Sequence, residues 1–272
     1  MGETGPAVHG DAVLSFIGVY KMETNYYDYY SYNLNRNMPI KVYGHHGRPI
    51  LFIPCQDGRF FDFENFHLTD TFAPWIDEGK CIVFAIDTID AETWSDKNGD
   101  PYYRIRHHEE WINYITREVV PFIREYVNEK NNWTGYPGIM TFGCSMGATH
   151  ALNLYLRFPD LFDRCLALSG VYNASFFIGD YMDEVVYQNS ITDYMTNMTP
   201  DHPFIERYNN NKAVVCVGQG AWEEPWSTRY LDERFHALGI NIWVDYWGYD
   251  VNHDWPWWYK QVPYFLPYLL GE

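Results

Sequence analysis

Positive charge is scarce in this chain: 19 Lys and Arg face 36 Asp and Glu, leaving a formal net charge of −17 over 272 residues. So acidic a surface neither neutralises phosphates nor is drawn to an anionic bilayer, so neither nucleic acid nor membrane is an expected partner. Long apolar runs are missing as well, and none approaches the ~20 residues needed to cross a bilayer. The opening Met1-Gly2-Glu3-Thr4-Gly5-Pro6 lacks the cationic start and apolar stretch of a secretory leader. Cysteines are few and odd in number: Cys55, Cys81, Cys144, Cys165 and Cys216 show no paired spacing, and four lie in or beside apolar runs. That pattern suits reduced, buried thiols rather than a disulfide framework, and a cytoplasmic setting is expected. In such a setting Asn132-Trp133-Thr134 is a chance match to a glycosylation acceptor. Metal-ligand spacings such as H-E-x-x-H and C-x-x-C are absent too, so neither a metal nor another cofactor is expected.

What is present is enough apolar sequence, 47% of residues, to bury one large core, and no linker or repeat divides the chain. Residues 1–272 read as one domain. An opening run, Val13 to Tyr20, is followed by Tyr- and Asn-rich strands through Tyr43, expected to be antiparallel at one sheet edge. Apolar strands are then expected at 50–54, 81–86, 137–142, 164–168, 213–218 and 241–247. Amphipathic helices are expected at 68–78, 107–129, 145–157, 226–238 and 256–270. Strand alternating with helix gives an α/β fold with a mostly parallel central sheet and helices on both faces. The alternation fails between about 171 and 211, a segment rich in Tyr, Asp, Asn and Met that reads as an insertion walling a cleft.

Gly143-Cys144-Ser145-Met146-Gly147 sits between the apolar run Gly138 to Phe142 and the helical pattern Ala148 to Arg157. Strand, sharp turn, helix is the context of a nucleophile elbow, which lifts a serine hydroxyl above a sheet. The glycines two positions either side are sterically required, because side chains there would strike neighbouring backbone. In α/β-hydrolases an acid and then a histidine follow the serine on later loops, and both occur here in that order. Lys212 to Gly218 reads as a buried strand leading into Gln219-Gly220-Ala221-Trp222-Glu223-Glu224. Asn241 to Trp247 reads as the last strand, leading into a loop that carries His253. His253 is the expected general base for Ser145, oriented by Glu223 or Glu224. The amide of Met146, next after the nucleophile, is one expected oxyanion donor.

The other histidines fit blander roles. The pairs His45-His46 and His107-His108 read as solvated or helix-capping, and His150, one turn into the helix after the elbow, as a packed residue. Arg104 and Arg106 are candidates for a cationic patch near the cleft. Aromatics make up 19% of the chain, with 11 Trp, and most must be core. Trp222, Trp226, Trp255, Trp257 and Trp258 nevertheless crowd the two catalytic loops, and Trp222 and Trp255 are the expected substrate-stacking residues. Phe176, Phe177 and Tyr181 of the insertion are the expected lining of an acyl pocket.

With these residues in view, the chain resembles a known family. Leu51-Phe52-Ile53-Pro54, the segment Asp57 to Phe66, Gly143 to Ala148, and His253-Asp254-Trp255-Pro256-Trp257-Trp258 are similar to the esterase family that includes esterase D type S-formylglutathione hydrolases, feruloyl and acetyl esterases, siderophore esterases and mycolyltransferases. The similarity runs from about residue 35 to the end. It implies the α/β-hydrolase fold and a carboxylesterase with a Ser, acid and His triad. The family usually carries aspartate as the acid and some branches glutamate; here the position falls on Glu223 or Glu224, with Glu223 preferred narrowly. Matching Asp57-Gly58 to the family's turn makes the amide of Arg59 the second oxyanion donor, and a shift of register makes it Gln56 or Asp57.

Two classes of function fit. One is a serine carboxylesterase acting on a small-molecule acyl, aryl or carbohydrate ester, with an acyltransferase using the same triad as its nearest variant. The other is a non-catalytic protein that holds a carbohydrate or aryl ligand in an aromatic cleft. Nothing in the sequence argues for or against a homo-oligomer.

Overall fold

The computed structural model describes residues 22–135 and 138–271, so the run Val13 to Tyr20 lies outside the described residues. The strands are β1 (Thr24–Ser31), β2 (Arg36–Tyr43), β3 (Arg48–Ile53), β4 (Cys81–Ile86), β5 (Ile139–Cys144), β6 (Phe162–Leu168), β7 (Lys212–Val217) and β8 (Trp243–Tyr246). They form one eight-stranded sheet in the order β1-β2-β4-β3-β5-β6-β7-β8. β1 pairs antiparallel with β2, and β2 antiparallel with β4; every later pairing is parallel. The expected mostly parallel sheet with an antiparallel edge is therefore what the chain builds.

Helices α1 (Asp62–Asn65) and α2 (Leu68–Asp77) follow β3, and α3 (Pro101–Tyr114) and α4 (Val120–Asn131) follow β4. α5 (Met146–Arg157) follows β5. After β6 come α6 (Ser175–Ile178), α7 (Glu184–Asn189), α8 (Ile191–Asn197) and α9 (Phe204–Asn210), and α10 (Pro225–Leu238) and α11 (Trp255–Leu270) follow β7 and β8. The helix expected at 107–129 starts earlier, at Pro101. Asp100 caps it by accepting from the Tyr102 amide, and proline suits the first helical position, where no N–H is needed. A π-helical stretch, Ile115–Val119, joins α3 to α4.

The central strands are buried on both faces, and their alternation sends successive residues to opposite cores. Leu51, Ile53, Phe84 and Ile86 pack with Trp111 of α3, Ile123 of α4, Leu152 of α5 and Phe235 of α10. Ile50, Phe52, Val83 and Phe142 pack on the other side with Phe72 of α2 and Val262 and Phe265 of α11. Each such fully buried large side chain contributes ~1.5–3 kcal/mol relative to exposure. These two layers hold the sheet rigid, so the loops after β3, β5, β7 and β8 meet along one edge at fixed positions. The four short helices α6 to α9 occupy the segment expected as an insertion.

Candidate active site

β5 ends in a turn whose backbone is strained. Ser145 has φ +57° and ψ −127°, a left-handed φ that a serine adopts only where its surroundings enforce it. They do so by closeness. A Cβ on Gly143 would lie 2.3 Å from the carbonyl of Gly147, and one on Gly147 would lie 2.2 Å from the Ile53 carbonyl oxygen. Ser145 also donates its N–H to the Leu168 carbonyl at 2.9 Å, pinning the turn to the end of β6.

Two further loops converge on that hydroxyl. His253 Nε2 lies 2.9 Å from Ser145 Oγ, and His253 Nδ1 lies 3.3 Å from Glu223 Oε2. The carboxylate fixes the tautomer: Nδ1–H donates to Glu223, and Nε2 keeps a lone pair for the serine proton. Glu223 has only 1% of its side chain exposed, and its other oxygen accepts from Ser169 Oγ at 2.7 Å and from the Gly218 amide at 3.2 Å. Ser169 itself accepts from Trp258 Nε1 at 3.0 Å, and the Trp258 ring meets His253 edge-on, centroids 5.1 Å apart. The acid and base loops are laced together. The amides of Gly220, Ala221 and His253 donate to the Val251 carbonyl, the Asn252 side chain and the Ala221 carbonyl respectively.

Of the two carboxylates, Glu224 turns away. It caps α10, accepting from the amides of Trp226 and Ser227 and from Ser227 Oγ, and has no contact with His253. Glu224 is held at the start of α10 as its N-cap, φ −120° and ψ 83°, while Glu223 stays on the His253 side.

The oxyanion donors divide similarly. Among the described residues, no acceptor takes the N–H of Met146, the first residue of α5, as expected of a first-turn helix amide. Arg59 is otherwise engaged, which corrects the expectation: its N–H donates to Asp62 Oδ2 at 3.0 Å and its guanidinium to Asp87 Oδ2 at 2.8 Å. Among the described residues no hydrogen bond uses the amides of Cys55, Gln56 or Asp57, and the carbonyls of Ile53 and Pro54 lie against Gly147. The register alternatives at Gln56 and Asp57 are both left open by this geometry.

The aromatic residues take different roles. Trp222 is 90% exposed, and Phe176 and Trp226 are exposed around a cavity of about 390 Å³ that also touches Asn173, Ser175 and Glu224. Phe177 faces inward onto Trp94, centroids 5.3 Å apart, beside a half-buried Tyr181. Trp255 stacks on Phe66 at 4.5 Å, so its ring is already partnered. A larger cavity, about 480 Å³, lies between Phe158 at the far end of α5 and Met198 and Phe204 of the insertion, away from Ser145.

Two expectations about basic groups are overturned. Arg104 is buried and donates to the carbonyls of Thr93, Trp94 and Phe177, while Arg106 pairs with Asp183 at 2.7 Å, so neither offers a free cation to the cleft. His108 is neither solvated nor capping but fully buried, stacked between Trp111 and His150. Burial holds its pKa well below the usual histidine value, so it is neutral. His107 does stay near the surface, bonded to Glu92 and Glu110, and His46 is exposed. His150 is packed as expected, with Nε2 2.9 Å from Asp90 Oδ1. Thiols are no rival nucleophile: burial pushes Cys55 up to about 12 and Cys144 well above the usual thiol value. Among the described residues no group of three or more His, Cys, Asp or Glu could hold a metal, and no helix is long and apolar enough to cross a membrane.

Sequence reasoning missed Ser169, Asp90 and the Gln56 side chain. Only Ser169 left a trace, as the polar residue ending the apolar β6 before Gly170.

A parallel-rich sheet with a serine at the turn after β5, an acid after β7 and a histidine after β8 defines an α/β-hydrolase fold protein. Residues 31–269 match the family described as "Putative esterase", and the chain belongs to that family of hydrolases. Solved structures of the same fold include a ferulic acid esterase, 14% identical, TM-score 0.71, covering 93% of this chain and 99% of that one. They also include an S-formylglutathione hydrolase from Agrobacterium tumefaciens, 13% identical, TM-score 0.68, covering 92% and 95%. MPT51 of Mycobacterium tuberculosis is 13% identical, TM-score 0.62, covering 91% and 98%. No curated protein sequence matches the chain.

Proposed function

We propose that the chain is a serine carboxylesterase for a small acyl, aryl or carbohydrate ester, working through Ser145, His253 and Glu223. The observation that carries this reading is the 2.9 Å approach of Ser145 Oγ to His253 Nε2, with Nδ1 turned to the buried Glu223. Ser145 Oγ attacks the ester carbonyl as its proton passes to His253 Nε2, and the carbonyl oxygen becomes an oxyanion held by the amides of Met146 and Gln56. Collapse breaks the C–O bond, and the imidazolium returns the proton to the departing alcohol. Water then attacks the acyl-serine with His253 as base, releasing the acid and restoring Oγ–H. Glu223 stays ionised throughout and stabilises the imidazolium.

Exposed Trp226 and Phe176, which line one cavity with Glu224, support a substrate with a flat or ring-shaped portion. The names of the ferulic acid esterase and S-formylglutathione hydrolase neighbours are in keeping with acyl-ester chemistry. Five free thiols suit a reducing compartment such as the cytoplasm. A fluorophosphonate probe tests the reading: the probe should label Ser145 in the wild-type protein. No label on that peptide, together with no turnover of p-nitrophenyl acetate, rejects it.

A further inference from the structure

The proposed mechanism leaves a buried aspartate–histidine contact unused. Asp90 and His150 are 2% and 1% exposed, with Asp90 Oδ1 2.9 Å from His150 Nε2. Hydrophobic packing does not need such a pair, and burying it is costly unless its geometry serves some other end. His150 stands on α5, one turn beyond Met146, the residue whose amide begins the helix. Asp90 opens the short 3₁₀ turn after β4, and its carbonyl accepts from the amides of Thr93 and Ser95. Ser95 Oγ in turn accepts from Gln56 Nε2 at 2.8 Å. Two more contacts bind the same loops: Thr88 Oγ1 donates to the Gly58 carbonyl and the Phe60 amide to Asp87 Oδ1. Arg104 secures the outer side of the β4 loop through the carbonyls of Thr93 and Trp94.

A continuous path thus runs from the elbow helix, through His150 and Asp90, to Ser95 and the side chain of Gln56. The two proposed oxyanion donors sit at its ends, on loops that share no strand. We propose that Asp90 and His150 are positioning residues for the oxyanion hole, setting the gap between the Met146 and Gln56 amides through Ser95. This rests on the serine-esterase reading above. Donors aimed at the oxyanion rather than at the ground-state carbonyl act on kcat, and a small misplacement weakens them without altering substrate binding.

The test compares wild type with Ser95→Ala and Asp90→Asn, the second of which keeps shape and an acceptor. With p-nitrophenyl acetate, each should lose about tenfold in kcat with KM within about twofold, and bind phenylboronic acid, an oxyanion mimic, about tenfold more weakly. Ser95→Ala removes a half-buried hydroxyl and should melt with wild type, so its kinetic loss is not unfolding. In an enzyme whose wild type takes the fluorophosphonate label, unchanged kcat or unchanged phenylboronic acid affinity in both variants overturns the proposal. Failure of the wild type to take a fluorophosphonate label, by contrast, removes the esterase reading and the positioning role with it.

Discussion

Trp258 Nε1 donates to Ser169 Oγ at 3.0 Å, so a tryptophan of the last helix reaches Glu223 through one hydroxyl. Ser169 donates its own O–H to Glu223 Oε1, leaving Oε2 for His253. Replacing Ser169 with Ala should leave one carboxylate oxygen with the Gly218 amide alone. The carboxylate is then less firmly held against Nδ1, and kcat should fall about tenfold with KM within about twofold. Steady-state kinetics of Ser169→Ala that overlay wild type would show that this hydroxyl has no part in holding Glu223.

Ser145→Ala should remove p-nitrophenyl ester turnover by a factor of ~10⁴ or more with an unchanged circular dichroism spectrum. Residual turnover near the wild-type rate would mean that another group is the nucleophile.

The two neighbouring glutamates should separate cleanly. Glu223→Gln should lower kcat by ~10²–10⁴ through loss of the imidazolium partner. Glu224→Gln should keep kcat and lose about 1 kcal/mol of stability by weakening the α10 cap. Steady-state kinetics and urea melts on both variants check this, and equal kinetic losses would contradict it.

Gly147→Ala should fail to fold or lose more than ~3 kcal/mol, because the new methyl meets the backbone oxygens of Ile53 at 2.2 Å and Pro54 at 2.5 Å. Gly239→Ala, where nothing lies within 4 Å, is the control: φ is +70° there, so it should cost only the left-handed strain of ~1 kcal/mol. Urea denaturation midpoints give both numbers.

His108 makes stability depend on pH with a definite sign. Its folded pKa lies well below the ordinary value of 6.5, so below that pH the unfolded chain binds a proton that the folded chain refuses. Its contribution is complete above about 6.5 and is lost as pH falls toward the depressed folded value, at up to ~1.4 kcal/mol per pH unit. Urea melts at about pH 7.5 and pH 5.5 should show a steeper decline in wild type than in His108→Gln. Parallel declines would place the proton uptake elsewhere.

The elbow was legible from sequence because its constraints are local. Glycines at 143 and 147 are demanded by backbone collisions within a few residues and with the next strand. Strand and helix positions were legible for a similar reason, since buried parallel strands are continuous apolar runs. The choice between Glu223 and Glu224 was not, because it depends on where α10 begins: Glu224 is taken up as its cap, which leaves Glu223 to face His253. Arg59 failed as a donor through a contact three residues away, with Asp62, that only the α1 turn creates. His108 looked solvent-facing beside Glu109 and Glu110, and became a core residue because α3 starts at Pro101 and presents that position to Trp94 and His150.

Glu223 and His253 are laced to each other across Gly220, Ala221, Val251 and Asn252, and neither takes a hydrogen bond from helices α6 to α9. Ile191, Met195 and Tyr208 fix this segment to the main core, so its buried positions are not free to change. Its exposed positions, Phe176 and Met182 among them, can vary without costing Glu223 or His253 a hydrogen bond.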